Sequence, residues 1–452
     1  MGLFSAVDRD DFHRQLLEVL ARQVEERGLG QVDLFARQFF ASVALDELAE
    51  RRLADLAGAC LSAWRLLERF DPGEPQVVLF SPDYERHGWQ SPHTVLQMLH
   101  ADMPFLVDSL HMELRRRGHA VHSLQNCVLS LRRGADGELL ELLEAGAEGP
   151  EVRREALLCL EIDRCANAGE QHMLAKALHE VLGDVRLAVG DFAPMQARVR
   201  ALLDNLEPAC LAAHVEDCAE VAAFLDWLLD NHFTFLGYEE FTVEAQADGS
   251  GLLVYAEDSL LGLSRRLRPG LPAAQRWVSA QAMAWLRAPC LLSFAKADQP
   301  ARVHRAAYPD YVSLRQFSPD GQVLRECRFI GLYTSPVYVE SMRHIPCVRQ
   351  KVAEVIRRAG FAPGAHLGKS LAQVLEVLPR DDLFQTPVEE LTATAVAIVQ
   401  IQERKRLRVF LRRDPYGHFC YCLVYVPRDI YSSEILQRIE REMTTRKRTR
   451  TQ

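Results

Sequence analysis

One stretch decides the fold of the first domain: Thr94-Val-Leu-Gln-Met-Leu-His-Ala-Asp-Met-Pro-Phe-Leu-Val-Asp-Ser-Leu-His-Met-Glu-Leu114. Its first seven residues are mostly apolar and predict a β-strand at 94–100. Asp102 then suits a helix N-cap, because its carboxylate can accept backbone N–H groups, and Pro104 suits the first helical turn, where its missing N–H is harmless. The stretch therefore predicts a strand, a tight turn and a helix.

The residues that follow extend this unit into a sandwich of helices on a sheet. An extended segment at 119–131 and an apolar strand at 155–162 come next, then a helix at 169–182 and a short strand at 186–189. The order strand, helix, strand, strand, helix, strand is that of a ferredoxin-like fold. In that fold the helices lie on one face of an antiparallel sheet.

The whole chain is predicted to be an α+β protein of several domains, with ferredoxin-like units and a mainly β unit joined by helical segments. The predicted boundaries are a helical segment at 1–76, a ferredoxin-like domain at 77–193, a helical connector at 194–230, a β-rich domain at 231–336, a helical connector at 337–389, an unfinished ferredoxin-like unit at 390–443 and a disordered basic tail at 444–452. The unfinished unit is predicted from strands at 394–402, 407–412 and 419–426 and one helix at 432–443.

Composition excludes several classes of protein. The 53 Lys and Arg against 62 Asp and Glu give a net charge of −9, which argues against nucleic acid as the main partner. No apolar run approaches the ~18 residues of a membrane span, and the N-terminus lacks the pattern of a secretory signal. The 11 cysteines are scattered without a Cys-x-x-Cys motif, so we expect free core thiols in a reducing cytoplasm.

Motifs for catalysis are missing from this sequence. No Gly-x-Gly-x-x-Gly joins a predicted strand to a helix, as binding of a dinucleotide would require. His119 and His122 lie three apart in a predicted strand and would point to opposite faces, so they do not suggest a metal site. Lys296 and the pair Asp381-Asp382 are interpreted as solvated. We predict no catalytic residue, no bound cofactor and no metal in this chain.

Six motifs in one order resemble the large NAD-specific glutamate dehydrogenases of bacteria. They are Met103-Pro-Phe-Leu-Val-Asp-Ser-Leu-His-Met-Glu-Leu114, Asp230-Asn-His-Phe-Thr-Phe-Leu-Gly-Tyr238, Arg302-Val-His-Arg305, Tyr308-Pro-Asp-Tyr311, Arg328-Phe-Ile-Gly-Leu-Tyr-Thr334 and Leu378-Pro-Arg-Asp-Asp-Leu-Phe384. The resemblance covers about residues 10–440. It implies ACT-type modules at the ferredoxin-like units and a PAS-type module at the β-rich unit.

This resemblance implies a regulatory and oligomerisation region, inactive alone, of an enzyme that uses NAD to convert glutamate to 2-oxoglutarate and ammonia. Its implied partners are further copies of itself, the missing catalytic domain and a small amino-acid effector. The family's catalytic domain lies far downstream, so we expect a truncated chain or a shifted reading frame. A free-standing ACT-type amino-acid sensor or protein-interaction module is the alternative; it would need a complete final module.

Two groups of residues are candidates for binding a ligand. The first is the strand-to-helix turn, with Asp102, Met103, Pro104, Phe105 and Asp108. In ACT modules amino acids bind near this turn, where helix N–H groups attract a carboxylate. The bulky side chains here, where many ACT modules have glycine, leave a structural or oligomerisation role open.

The second group is Arg302, His304 and Arg305. Arginine binds carboxylates through two parallel N–H groups, so this segment could contact an anion. The alternative is a structural role, with the arginines paired to Asp310 or to other acids.

Overall fold

The computed structural model describes residues 8–449 except 72, 213–216, 268–274, 289, 319–321, 403–406, 418, 428 and 430. The chain forms two compact units. The first is Met1–Gly190 together with Ala301–Ala306, and the second is Asp191–Pro300 together with Ala307–Gln452. No helix in the described part of the chain is both long enough and apolar enough to cross a membrane.

Helices open the first unit: α1 (Arg9–Leu20), α2 (Leu29–Phe39), α3 (Leu45–Ala49) and α4 (Leu53–Leu67). Phe12, Leu16 and Leu20 lie on one face of α1 at four-residue spacing and are fully buried, as expected for an amphipathic helix. The Asp8 carboxylate accepts the Asp11 N–H at 2.9 Å and caps that helix.

An antiparallel sheet with its helices follows: β1 (Gln76–Phe80), α5 (Tyr84–His87), β2 (Thr94–Ala101), α6 (Leu106–Arg116), β3 (Val121–Arg133), β4 (Leu139–Leu142), β5 (Arg153–Ile162) and α7 (Ala168–Gly190). The strand order is β1-β2-β5-β3-β4. All four pairings are antiparallel. The run β2, α6, β3, β5, α7 follows the predicted ferredoxin-like order.

The last strand predicted for this unit is wrong. Residues 186–189 belong to α7, whose buried positions Leu182, Val185 and Ala188 recur at helical spacing. The edge of the sheet beside β2, which that strand would have occupied, is taken by β1. A strand that precedes the first predicted strand, 94–100, therefore completes the sheet.

Helices cover both faces of this sheet. Leu99, Leu157 and Cys159 pack into one core with the side chains of α1, α2 and α4. Ala156 and Leu158, which alternate onto the opposite face, lie beside the first residues of α6. The sequence predicted helices on one face only. The continuous burial of 94–100 explains the difference, because a strand covered on both faces is apolar throughout.

The second unit begins with helices and a large sheet: α8 (Phe192–Asp204), α9 (Leu206–Ala212), α10 (Cys218–Trp227), β6 (Phe233–Ala245), β7 (Gly251–Tyr255), β8 (Leu261–Gly262), β9 (Gln275–Val278), α11 (Ala280–Leu286), β10 (Leu292–Lys296), β11 (Asp310–Phe317) and β12 (Val323–Tyr333). The sheet order is β10-β11-β12-β6-β7-β9, and β8 pairs with β6. The stretch Ser318-Pro-Asp-Gly321 predicts a hairpin turn and lies partly outside the described residues; β11 and β12 on either side of it pair antiparallel.

The remaining elements are α12 (Ser335–Val339), α13 (Val348–Ala359), α14 (His366–Val377), α15 (Arg380–Gln385), α16 (Val388–Gln402), β13 (Arg408–Arg413), β14 (Cys420–Tyr425) and α17 (Ser433–Thr449). The strands β13 and β14 form an antiparallel hairpin. Its turn includes Gly417 at φ 78°, a backbone conformation that favours glycine.

Two predictions in this part are wrong. Residues 394–402 form the end of α16 instead of a strand. Leu391, Ala395 and Ile398 are buried there at helical spacing. Helix α17 also extends to Thr449, through most of the predicted disordered tail. Arginine and lysine are good helix formers, so a basic stretch can continue a helix.

The prediction that every cysteine is a free thiol is also wrong. Cys210 at the end of α9 and Cys218 at the start of α10 form a disulfide. Their Cα atoms lie 5.8 Å apart, within the range that a disulfide spans. The remaining nine cysteines are free thiols.

Candidate effector site

The turn between β2 and α6 differs from the predicted one in its capping residue. Phe105, not Asp102, is the residue before the helix, with φ 73° and no side-chain hydrogen bond to the helix N-terminus. This left-handed conformation is costly for a residue with a bulky side chain. The predicted Asp102 cap is therefore wrong, because Met103, Pro104 and Phe105 lie between Asp102 and the first helical residue.

Asp102 extends the sheet instead of capping the helix. Its N–H donates to the Arg154 carbonyl at 3.0 Å, continuing the pairing of β2 with β5. Its carboxylate lies 3.0 Å from the Arg154 guanidinium in a half-buried ion pair. The carboxylate is thus directed at the neighbouring strand.

The second candidate segment folds against this turn. Residues 301–306 belong to the same compact unit as β2 and α6. The His304 ring lies 4.7 Å from the Phe105 ring, centroid to centroid, and the His304 N–H donates to Ser109 Oγ at 3.2 Å. Two stretches almost 200 residues apart in sequence, each predicted separately, therefore meet.

His304 is held in an unusual state. Its backbone is left-handed, with φ 74°, so that two residues with positive φ face each other across this contact. Burial, reinforced by Arg305, lowers the pKa of His304, and Asp108 opposes this effect. A histidine with a lowered pKa is neutral at neutral pH, which makes it a weak partner for an anion.

Arg302 points away from the turn and towards α7. Its guanidinium lies 3.7 Å from the Glu180 carboxylate and 3.5 Å from that of Asp184. The alternative that this segment pairs with acids thus applies to Arg302, and Asp310 pairs with Lys296. With two acidic partners, Arg302 has little charge to offer an anionic ligand.

A small cavity of about 110 Å³ lies beside the turn. It is lined by Asp102, Met103, Phe105, Leu106, Val107, Asp108, Asn126, Val128, Ala156 and Leu158. Pockets for small-molecule ligands usually measure ~300–1,000 Å³. In this conformation the cavity has room for a few atoms only.

A larger cavity of about 420 Å³ lies in the second unit. It is lined by residues of α15, α16 and the β13–β14 hairpin, among them Asp381, Asp382 and Arg412. Asp382 lies 3.0 Å from Arg412, and Asp381 lies 3.0 Å from Lys296. The interpretation of Lys296 and the acidic pair as solvated is therefore wrong, because all three join buried or half-buried ion pairs.

Sequence reasoning also missed a buried ionic cluster in the second unit. Arg328 contacts Glu326 at 2.8 Å and Glu239 at 3.1 Å, and Arg315 contacts Glu326 at 3.3 Å. All four side chains are at most 4% exposed. The only signal in the sequence is Glu326 and Arg328 on one face of a strand that has apolar residues between and after them.

Three domain families of glutamate dehydrogenases match the chain. The ACT1 domain matches residues 35–178, helical motif 1 matches 345–404, and the ACT2 domain matches 408–451. The first match covers the five-stranded sheet, helices α3 to α6 and the first part of α7. The third begins at the hairpin β13–β14, and the second covers the helices that precede it.

Relatives described as NAD-specific glutamate dehydrogenase match nearly the whole chain. The one from Pseudomonas aeruginosa is 59% identical over 446 residues, which is 99% of this chain and 28% of that protein. The one from Halomonas elongata is 44% identical over 435 residues, or 96% of this chain and 27% of that protein. One from Mycobacterium tuberculosis is 30% identical over 355 residues.

The chain thus spans little more than a quarter of the length of the first two relatives. The ordered matches to the ACT1 domain, helical motif 1 and the ACT2 domain agree with the resemblance seen in the sequence motifs. The chain belongs to the NAD-specific glutamate dehydrogenase family, of which it represents the N-terminal, ACT-containing region.

Proposed function

We propose that this chain is the regulatory and oligomerisation region of a cytoplasmic NAD-specific glutamate dehydrogenase. The complete enzyme would deaminate glutamate oxidatively to 2-oxoglutarate and ammonia with NAD, and would assemble from several copies. This chain would carry out none of that chemistry by itself. The proposal rests on the ordered domain matches and on the absence of a dinucleotide-binding motif from its 452 residues.

We infer further that the turn of the ACT1 domain acts by holding residues 301–306 rather than a free amino acid. The single observation that carries this inference is the contact of His304 with Phe105 and Ser109. That contact places the chain's own segment at the helix N-terminus where ACT modules take an effector. Residues 301–306 lie between β10 and β11 in sequence, so the mainly β unit, which we regard as PAS-like, would sense their release.

Two measurements on the purified chain test the proposal. Glutamate and NAD are added first, and NAD reduction is followed; sustained turnover would show that the region is catalytic on its own. Thermal unfolding is then followed in the presence of each common amino acid. We expect no shift in Tm, because the turn is occupied and its cavity is small.

A variant separates the two roles of the turn. Ser109→Ala removes the acceptor for the His304 N–H but leaves the backbone of α6 unchanged. If an amino acid raises the Tm of the wild-type chain and Ser109→Ala abolishes that shift, the turn binds an effector and the inference about residues 301–306 is wrong. If an amino acid raises the Tm of the variant alone, the segment competes with a ligand and the inference is supported.

A further inference from the structure

Three side chains of metal-binding type meet at one end of the ACT1 sheet. His119 precedes β3, Cys165 follows β5, and Glu170 lies in the first turn of α7. From the sequence alone, His119 was compared only with His122, and this pair did not suggest a metal site. In the structure His119 stands outside the strand and faces Cys165 and Glu170 instead.

Backbone contacts hold these three segments together. Val121 at the start of β3 pairs with Ile162 at the end of β5. The Asp163 N–H donates to the Ala120 carbonyl at 3.1 Å, and the Asp163 carboxylate accepts the Ala120 N–H at 2.8 Å. The positions of the three side chains therefore follow from the sheet itself rather than from a mobile loop.

The spacing of the ligand atoms suits a metal ion better than a hydrogen bond. One ligand atom from each residue lies within 4.8 Å of the other two. His119 Nε2 and a Glu170 carboxylate oxygen are 3.9 Å apart, too far for a hydrogen bond. Bonds of about 2.0–2.2 Å to Zn²⁺ place two tetrahedral ligands about 3.4 Å apart, so His119 and Glu170 would need to approach each other by about 0.5 Å.

We propose that His119, Cys165 and Glu170 bind Zn²⁺, with the fourth position open to water or to another ligand. An imidazole nitrogen, a thiolate and a carboxylate are the three ligand types that zinc takes in proteins. Ca²⁺ and Mg²⁺ prefer sets made of oxygen atoms and do not fit a set that includes sulfur and nitrogen. Thiolate and carboxylate together neutralise the charge of the ion.

Burial fits this assignment. Cys165 is 6% exposed, and the side chains of His119 and Glu170 are 12% and 40% exposed. The ion would thus be reached from the Glu170 side. Zinc binds the thiolate, so binding would release the Cys165 thiol proton to solvent, and zinc affinity should rise with pH.

A zinc ion here would tie the start of β3 to the start of α7. Thr94 pairs with Ile162, so this end of the sheet is where β2 begins. The Asp102 turn is at the other end of β2, roughly 25 Å away at ~3.3 Å per residue. The zinc site is therefore separate from the turn that holds residues 301–306.

Cobalt substitution tests the proposal directly. The chain is freed of metals with a chelator, titrated with Co²⁺ and then with Zn²⁺. We expect one Co²⁺ per chain, with a thiolate-to-cobalt charge-transfer band and the intense visible bands of four-coordinate cobalt, and we expect Zn²⁺ to remove both. Cys165→Ser should abolish the charge-transfer band. His119→Ala should weaken binding by more than about tenfold, because changing even a residue that only hydrogen-bonds to a metal ligand usually costs that much.

The control is His122→Ala. His122 lies in the adjacent strand, 2.8 Å from Asp163 and with its ring 4.0 Å from that of His93, so its loss should leave the cobalt spectrum unchanged. Circular dichroism verifies that each variant folds. No charge-transfer band at saturating Co²⁺, a band that survives Cys165→Ser, or an equal loss in His122→Ala would each overturn the proposal.

Discussion

The two sheets of this chain bury different kinds of side chain. The ACT1 sheet is covered by apolar side chains on both faces and contains one fully buried ion pair, Arg133 with Glu155 at 2.7 Å. The sheet of the second unit buries a cluster of two arginines, Arg315 and Arg328, and two glutamates, Glu239 and Glu326. In an apolar core, the free energy of unfolding falls in proportion to the side-chain volume that is removed. A buried charge that loses its partner lowers it by a large amount whatever the volume.

Aromatic rings complete the cluster around Arg328. Its guanidinium lies 4.5 Å from the Phe241 ring centroid, 4.6 Å from that of Tyr311 and 5.2 Å from that of Tyr416. Burial raises the pKa of Glu239. Burial would also raise the pKa of Glu326, but Arg328 and Arg315 outweigh it and lower that pKa. Glu326 is thus the charged partner that the arginines depend on.

The largest effect is expected from Arg328→Met, which removes the cation but keeps most of the volume. Because Glu239 and Glu326 would stay buried without it, the free energy of unfolding should fall by ~3–5 kcal/mol. Urea unfolding followed by tryptophan fluorescence measures this, since Trp285 packs 4.8 Å from the guanidinium of Arg315. Arg325→Met, on the same strand but with a half-exposed side chain paired to Glu240, should cost at most ~1 kcal/mol. Equal losses in both variants would contradict the view that the buried cluster depends on the charge of Arg328.

Shortening a buried side chain in the ACT1 sheet should lower the free energy of unfolding by an amount that depends only on the side-chain volume removed. Leu157 is fully buried, so Leu157→Ala should cost ~2–5 kcal/mol through lost burial and the cavity left behind. Leu140 is 63% exposed, and Leu140→Ala should change stability by less than ~0.5 kcal/mol. Urea unfolding is again the measurement, and a Leu157→Ala loss that varied strongly with pH would speak against a purely apolar core.

Lys351 in the second unit can be compared with Arg328, because it is a buried cation whose partners are three backbone carbonyls. Its ammonium contacts the carbonyl oxygens of Leu383, Phe384 and Thr386 at 2.6–3.2 Å. Burial is the main cause that lowers its pKa from 10.5 to about 8. Between those two values the unfolded state binds more protons than the folded state, so the stability due to this group rises with pH there.

The expected gain from pH 8 to pH 10.5 is at most ~3 kcal/mol, at ~1.4 kcal/mol per unit of pKa shift. Below about pH 8 the lysine is protonated in both states, so its contribution no longer changes with pH. Chemical unfolding of the wild-type chain and of Lys351→Met at several pH values isolates this contribution from other titrating groups. If the two profiles run parallel between pH 8 and pH 10.5, the pKa of Lys351 is not lowered.

The smallest effect is expected at the contact between α6 and residues 301–306. Ser109→Ala removes one neutral hydrogen bond to the His304 N–H and should cost ~0.5–1.5 kcal/mol. Hydrogen exchange of the His304 amide, read by mass spectrometry, should increase along with the loss of stability. Unchanged exchange would show that the contact of the His304 ring with Phe105 holds the segment without this bond.

Strong local signals allowed much of the ACT1 fold to be predicted. The strand at 94–100 and the helix after it were confirmed because one stretch carries both periodicities and a clear turn. The predictions of strands at 186–189 and 394–402 were wrong, because short apolar runs fit a strand or a helix equally well. Contacts distant in sequence determine both structures. In the first case β1 occupies the edge of the sheet, and in the second the residues pack as a helix into the core.

The candidate site was predictable only in its parts. Phe105 and His304 were singled out separately, but nothing local indicates that their rings are in contact. Arg302 finds its acids on α7, more than 110 residues earlier in the chain. The positive φ of Phe105 and His304 could not be predicted either, since long-range contacts alone justify so costly a conformation in such residues.

Because β1 completes the ACT1 sheet from its N-terminal side, every strand of that sheet has been synthesised once residue 162 has been added. The sheet can therefore form on the ribosome before the second unit exists. Residues 301–306 reach the peptidyl-transferase centre 111 residues after Gly190, a delay of roughly 6–22 s at ~5–20 residues per second. During that interval the segment that contacts Phe105 and Ser109 has not yet been made, so chaperones or small molecules could reach this turn of the nascent chain.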